Sequence, residues 1–292
     1  NLYTLGTFPG SSSGSKYTYA TGKSHHIAQV EMQNPDGNRY IYGLPVYNTS
    51  SKEAFFSTDL ASGDYSGITN TYPTKESTRS NKSGNDHLYK STQLPAYVTN
   101  YLLTAIISAD YVDVTGDGPS EDDLGYWVKF NYTKTTSDYK WRAPYFNAYT
   151  NMGSYDNDKD NKSSYNYGVR ELYYLNSIET KTHVATFKIS PRNDGRAAAQ
   201  EKNLSTSISF STAAQSYKLD TLRLYSKIDP DYGTANAQPL KTVVFDYNYS
   251  LCKGVSNNAN NPTSPEGKLT LIGVHFLYLD NNKGSLSPYQ FE

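Results

Sequence analysis

Residues 109–132 read Ala109-Asp-Tyr-Val-Asp-Val-Thr-Gly-Asp-Gly-Pro-Ser-Glu-Asp-Asp-Leu-Gly-Tyr-Trp-Val-Lys-Phe-Asn-Tyr132. The stretch has three parts. Tyr111 and Val112 enter it as a short apolar run, and Asp113 to Glu121 form an acidic turn carrying two glycines. From Tyr126 to Tyr132 the side chains alternate with the period of two that a pleated strand imposes. A strand leaving the turn excludes the helix–loop–helix that such acidic turns often join. The stretch is therefore read as strand–loop–strand, and the fold it predicts is mainly β, in antiparallel sheets.

The turn has the chemistry of a hard-cation loop. Loops of the EF-hand kind present oxygens from positions 1, 3 and 5, glycine at 6, a carbonyl at 7 and an acid or water at 9. Here Asp113, Thr115 and Asp117 fall at the first three of these, followed by Gly118, the carbonyl of Pro119 and Glu121. Leu124 stands where an EF-hand has its bidentate glutamate, at position 12. Two readings follow from the residues alone: a calcium site, or a solvated polar turn whose Asp, Thr and Gly are there for backbone reasons. Asp122 and Asp123 add negative charge under either. A second acidic run, Asp156-Asn-Asp158-Lys-Asp160, repeats the spacing without apolar flanks, and reads as a solvated loop with a second ion as its alternative.

Composition narrows the class. Tyrosine occurs 29 times against 10 phenylalanines, which suits half-buried strands whose hydroxyls reach a wet edge and does not suit disorder. A net charge of -1 gives no electrostatic case for nucleic acid or an anionic membrane. No stretch is long and apolar enough for a membrane span. The single cysteine, Cys252, forms no disulfide within the chain and is expected as a small buried side chain. No signal peptide opens the sequence. Its ends read as interior segments, which predicts a fragment of a longer polypeptide.

Outward from the turn, two regions are expected: an N-terminal hairpin and polar loop region over 1–93, and a β-rich region over 94–292. Gly10 to Ser15 reads as a linker. Asn34-Pro-Asp-Gly-Asn38 predicts a hairpin between strands beginning near Ile27 and Arg39. Residues 49–92 read as a polar, irregular excursion. Leu94 to Ser108 is the one expected helix: Pro95 suits a first turn, and Val98, Leu102 and Ile106 recur every four residues. Later strands are expected over 165–177, 183–190, 217–226, 240–250, with one face buried, and 268–279, with Asn193-Asp-Gly195 as a turn. Trp141 reads as a core side chain, with a sugar-stacking platform as its alternative.

Tyr111-Val-Asp-Val-Thr-Gly-Asp-Gly118 resembles the calcium loops of FG-GAP/VCBS-type β modules, which occur in surface and toxin-related proteins that also carry RHS/YD repeats. Phe245 to Cys252, Gly267 to Leu271 and Leu286 to Glu292 are similar to segments of very large RHS-like secreted proteins of Bacteroidota. The resemblance spans roughly residues 95–292. It implies calcium ligands at Asp113, Thr115, Asp117 and Glu121, an open shell or sandwich of sheets, export by a type IX route and no catalytic residues. The chain departs from the loop pattern at Thr115, where Asn or Asp is usual, and at Glu121, where Asp is usual.

The leading expectation is a non-catalytic, calcium-stabilised structural segment of a large secreted or cell-surface bacterial protein. Its partners would be the remainder of its own polypeptide. Two alternatives take other partners: a carbohydrate-binding or adhesive module on surface glycans, and a client held by a type IX secretion channel. A glycoside hydrolase would need two carboxylates facing across a cleft, and no acid stands alone at an apolar strand end.

Overall fold

The computed structural model describes residues 3–4, 15–16, 24–59, 68–69, 75–151, 160–202, 210–258, 266–279 and 282–291. The expected linker at Gly10 to Ser15 lies outside them, except for Ser15 itself. The strands are β1 (Tyr3–Thr4), β2 (Ser15–Lys16), β3 (Val30–Gln33), β4 (Arg39–Tyr42), β5 (Leu44–Ser57), β6 (Ile68–Thr69), β7 (Tyr89–Leu94), β8 (Tyr97–Leu102) and β9 (Ala105–Ile107). They continue as β10 (Trp127–Ala143), β11 (Ala148–Asn151), β12 (Lys162–Glu179), β13 (His183–Ala198) and β14 (Phe210–Ser226). β15 (Lys241–Leu251), β16 (Lys268–Leu277) and β17 (Tyr289–Gln290) complete them, with a 3₁₀ turn over Asn282–Leu286. β1 and β2 pair with each other, and the other fifteen form one antiparallel sheet. Strands from before and after residue 93 are interleaved in it.

A ribbon and a hairpin organise this sheet. β4 and β5 are separated only by Gly43, and their partner ladder runs without a gap in direction from Arg39↔Ile107 through Leu44↔Leu102 to Phe56↔Tyr89. At one end the ribbon is bonded to β10 through β9; at the other it is bonded to β12 through β5. β10 and β12 pair with each other along most of their length. A ribbon that meets both strands of one pair has to coil, in keeping with the twist native to sheets. From β12 the path continues through β13, β14, β15 and β16 to β17.

β12 holds β13 only over Ser177 to Glu179. Beyond that point the far ends of β13 and β14 pack over β10 and β12, where Tyr139, Ala197 and Ala214 form a small core with Trp141 and Leu172. Two other cores are equally local: Ala54, Phe56, Ala148 and Tyr165 under β5, and Ala105, Ile107 and Trp127 under the acidic turn. Tyrosine serves both as filler and as tie. The hydroxyls of Tyr139 and Tyr145 donate to the carbonyls of Gly195 and Ala197, and that of Tyr132 donates to Leu103.

Several expectations are corrected. The helix over Leu94 to Ser108 is instead β8 and β9, with Pro95 in the break between β7 and β8. Part of the polar excursion is β5, whose residues 51–56 are bonded on both edges, by β12 and by β7. Asn193-Asp-Gly195 is not a turn but an irregularity inside β13, between the pairs Pro191↔Tyr217 and Arg196↔Gln215. Asp194 is buried there, taking two bonds from the Arg192 guanidinium and one from the Leu269 N–H. β15 is half-buried along most of its length, with no buried face. Cys252 is exposed, at a positive φ.

Trp141 packs inward. It pairs across the ladder with Gly168, where a Cβ would stand 2.6 Å from the indole. Gly168→Ala is therefore expected to cost about 1–3 kcal/mol by overpacking. A urea midpoint together with tryptophan fluorescence checks it, and an unchanged midpoint would show that the ring can shift at no cost.

Candidate functional site

The acidic turn sits between β9 and β10, closed at its base by the Val112↔Leu124 bridge. Inside it the groups expected to bind a cation at positions 1, 3 and 5 make bonds within the loop. The Asp113 carboxylate accepts the N–H groups of Gly116 (2.6 Å) and Gly118 (3.0 Å), and the Thr115 hydroxyl donates to Asp117 (2.7 Å). Gly118 has φ +88°, a conformation that glycine adopts without a steric penalty. Asp113, Thr115, Asp117 and Glu121 are all exposed.

The other two expected ligands face protein cations. The Lys129 ammonium, from β10, donates to the Pro119 carbonyl at 3.0 Å. The Lys227 ammonium, just after β14, lies 3.1 Å from Glu121 and 3.6 Å from Glu179. A third lysine, Lys181 from the turn between β12 and β13, donates to the Asp123 carbonyl at 2.6 Å. Burial pulls the Lys129 amine below its usual range, against the opposing pull of Glu179 and Asp117. The loop is thus held from outside by three lysines.

From inside, it is held by Asp123, which is 2 % exposed. Its carboxylate accepts the Tyr111 hydroxyl (2.7 Å) and the N–H groups of Val114 (3.0 Å) and Ser120 (2.9 Å). Burial alone would raise this carboxyl, but the three donors outweigh burial and hold it below the usual carboxylate range. Burial, and then Asp123, push the Tyr111 hydroxyl well above the tyrosine range.

Asp113, Thr115 and Asp117 carry hard oxygens of the kind calcium takes, but the Asp113 carboxylate is taken up by the Gly116 and Gly118 N–H groups. The Pro119 carbonyl and Glu121 face Lys129 and Lys227 instead. Among the described residues no three carboxylates, imidazoles or thiols are grouped as metal ligands. Of the second acidic run, Asp156 and Asp158 lie outside the described residues, and Asp160 is exposed and paired with Lys162.

The three lysines and Asp123 escape sequence reasoning because no local pattern marks them; topology alone brings Lys181 and Lys227 to this end of the sheet. Trp127 is buried under the Lys227 amine, which sits 5.4 Å from its ring centre. No helix of the described residues is long and apolar enough to cross a membrane. Comparison with protein-family models, with curated proteins and with solved structures finds no match for this chain.

Proposed function

We propose that this chain is a non-catalytic, β-rich structural segment of a larger secreted or cell-surface protein, with the acidic loop as a calcium clasp. The observation that carries this reading is strand length. β10, β12, β13 and β14 run for 17, 18, 16 and 17 residues, where about five or six is usual. Strands of that length, backed by small local cores, suit a wall or shell. The Tyr111–Gly118 loop supports grouping the segment with RHS-like surface proteins. In this proposal calcium enters at Asp113, Thr115 and Asp117. Pro119 and Glu121 then exchange their lysine partners for the ion, which neutralises the acidic turn.

A thermal melt with calcium and with excess chelator tests the clasp, on this chain and on Asp113→Ala/Asp117→Ala. A ligand bound only to the folded state at a hundredfold excess over Kd adds about 2.7 kcal/mol, which for a chain of this size is a rise of roughly 4 to 5 °C. The double variant is expected to melt at one temperature with and without calcium. A flat response of the unaltered chain would leave the loop as a lysine-held turn and remove calcium from the proposal.

A further inference from the structure

Residues paired directly across a ladder project to the same side of a sheet, as do residues two apart along a strand. Phe187, Leu222, Val243 and Phe276 pair in turn across β13, β14, β15 and β16, and so form one row. In the next row Ala185 stands between Ile178 and Leu224, and Ile178 pairs with Phe130 of β10. Val128, two residues before Phe130, pairs with Ile106, which pairs with Tyr40 of β4. Every one of these residues is half-buried and none is buried. That is the exposure of side chains flanked by their sheet neighbours and open above.

The opposite face has the reverse character. There Glu179, Val184 and Tyr225 make one row, and Ser177, Thr186, Arg223 and Thr242 make the next. Val184, Tyr225, Ser177 and Thr242 are all buried. This is the side that carries Lys129 and the acidic turn. An antiparallel sheet with one dry face normally packs its apolar side on a core and leaves its polar side wet. Here the covered side holds the polar residues, and the apolar side is left without a cover.

Its breadth limits what can cover it. From β4 to β16 the path crosses eight strands, about 34 Å at the usual inter-strand spacing, and three rows occupy roughly 20 Å along the strands, which makes a face of ~700 Å². An apolar face of that size marks an interaction surface. Among the described residues there is no α-helix to lie across it, and β1 and β2, of two residues each, are too short. A broad twisted sheet is covered by a second sheet of the same twist, about 10 Å away. The sheet that matches in size and twist is that of another copy. Two copies face to face would bury ~1,400 Å², inside the range of about 1,200–2,000 Å² for stable interfaces. Charge permits this pairing. In a two-fold pair like groups meet near the axis, so a charged centre would repel itself. Among the described residues of these rows the one charged side chain is Lys241, beside Leu224, and its amine is turned over the Phe276 and Tyr278 rings, 4.3 and 5.6 Å from their centres.

We propose that this face is the interface of a two-fold dimer of the chain, packed sheet on sheet. The interface depends on neither the calcium clasp nor the structural reading.

Sedimentation equilibrium and hydroxyl-radical footprinting of the unaltered chain test it. We expect a dimer at about 10 μM, near the weak end of the affinities that interfaces of this size reach. Phe187 and Phe276 should be less oxidised in the dimer than in the dilute chain. Leu222→Lys places two like charges at the centre of the interface and should weaken association by about 100-fold, with the circular dichroism spectrum unchanged. A chain that stays monomeric at every concentration overturns the proposal. So does a dimer whose protection falls on the β3 or β17 edge, which would be strand-edge pairing, or one that Leu222→Lys leaves intact. Mass and footprint are read on the unaltered chain, so a variant that fails to fold does not obscure them.

Discussion

Arg142→Met is expected to destabilise the chain by about 4 kcal/mol, a large part of the 5–15 kcal/mol that a typical fold has in hand. The guanidinium is 6 % exposed and stands over the Tyr165 ring, 4.5 Å from its centre. Its donors go to backbone carbonyls: Nε to Glu201 and Nη1 to Pro144, each at 2.6 Å, and Nη2 to Asn147. The same Glu201 accepts Lys52 (2.7 Å) and the Tyr165 hydroxyl (2.6 Å) through its carboxylate. One side chain thus joins the end of β10 to the loop before β11 and to the segment after β13, where the folded-over layer is fastened. Methionine fills the volume but leaves these carbonyls buried without donors. Burial pushes the guanidinium down to about 10, so it remains charged at neutral pH. Arg142→Lys should recover little, because a single ammonium cannot span three carbonyls that a planar fork reaches together. Urea unfolding of both variants decides the matter. A lysine variant within roughly 0.5 kcal/mol of the unaltered chain would mean that charge, and not the fork, is what the site requires.

What could be read from the sequence was what short-range chemistry determines. Asp36-Gly37 predicted the hairpin, and the turn forms with Gly37 at φ +88° and its N–H bonded to Asn34. Tyrosine-rich alternation predicted the later strands, and the mainly β, antiparallel class follows from them. The expected helix over 94–108 failed for a reason built into its evidence. Val98, Leu102 and Ile106 are four apart, and four is both about one helical turn and two strand repeats, so the spacing does not separate the two. Pairing with β4 and β5 decides in favour of strands. Residues 49–57 look like loop because they are polar, yet bonds on both edges of 51–56 hold them in the sheet in spite of their composition. Asn193-Asp-Gly195 has the residues of a turn, but Arg192 satisfies Asp194 internally. Gly195 makes room for Ser216, whose Oγ would lie 1.7 Å from an added Cβ. Within the site, the loop positions were legible because they are contiguous. Its lysines were not, since Lys227 reaches Glu121 across 106 residues of chain.

That contrast leads to the second large effect, at Asp123. Read as sequence, it is one more acid beside Asp122; in the fold it is the anchor of the loop. Asp123→Ala removes a buried acceptor from three donors, one of them the Tyr111 hydroxyl, itself packed against the Ala105, Ile107 and Trp127 core. With each orphaned donor costing about 1–3 kcal/mol, and with some rescue by water at the loop, the expected loss is roughly 3 kcal/mol. Asp113→Ala/Asp117→Ala, measured without calcium, should cost less than about 1 kcal/mol, because those carboxylates are exposed and water replaces what they give up. The acid dependence has a definite sign. A carboxyl held below its unfolded value stabilises the fold above the unfolded pKa, near 3.9, and that contribution disappears as pH falls through the lower folded value. Asp123 therefore adds to stability throughout the neutral range, and the loop should unlatch only in acid, below about pH 4. In the Asp123→Ala variant the part of the stability profile that falls in this window should flatten. Denaturation series at neutral pH and in acid, on the unaltered chain and both variants, give the comparison. If Asp113 and Asp117 proved costlier than Asp123 in calcium-free buffer, the loop would be held by its exposed rim, and the buried carboxylate would be a passenger.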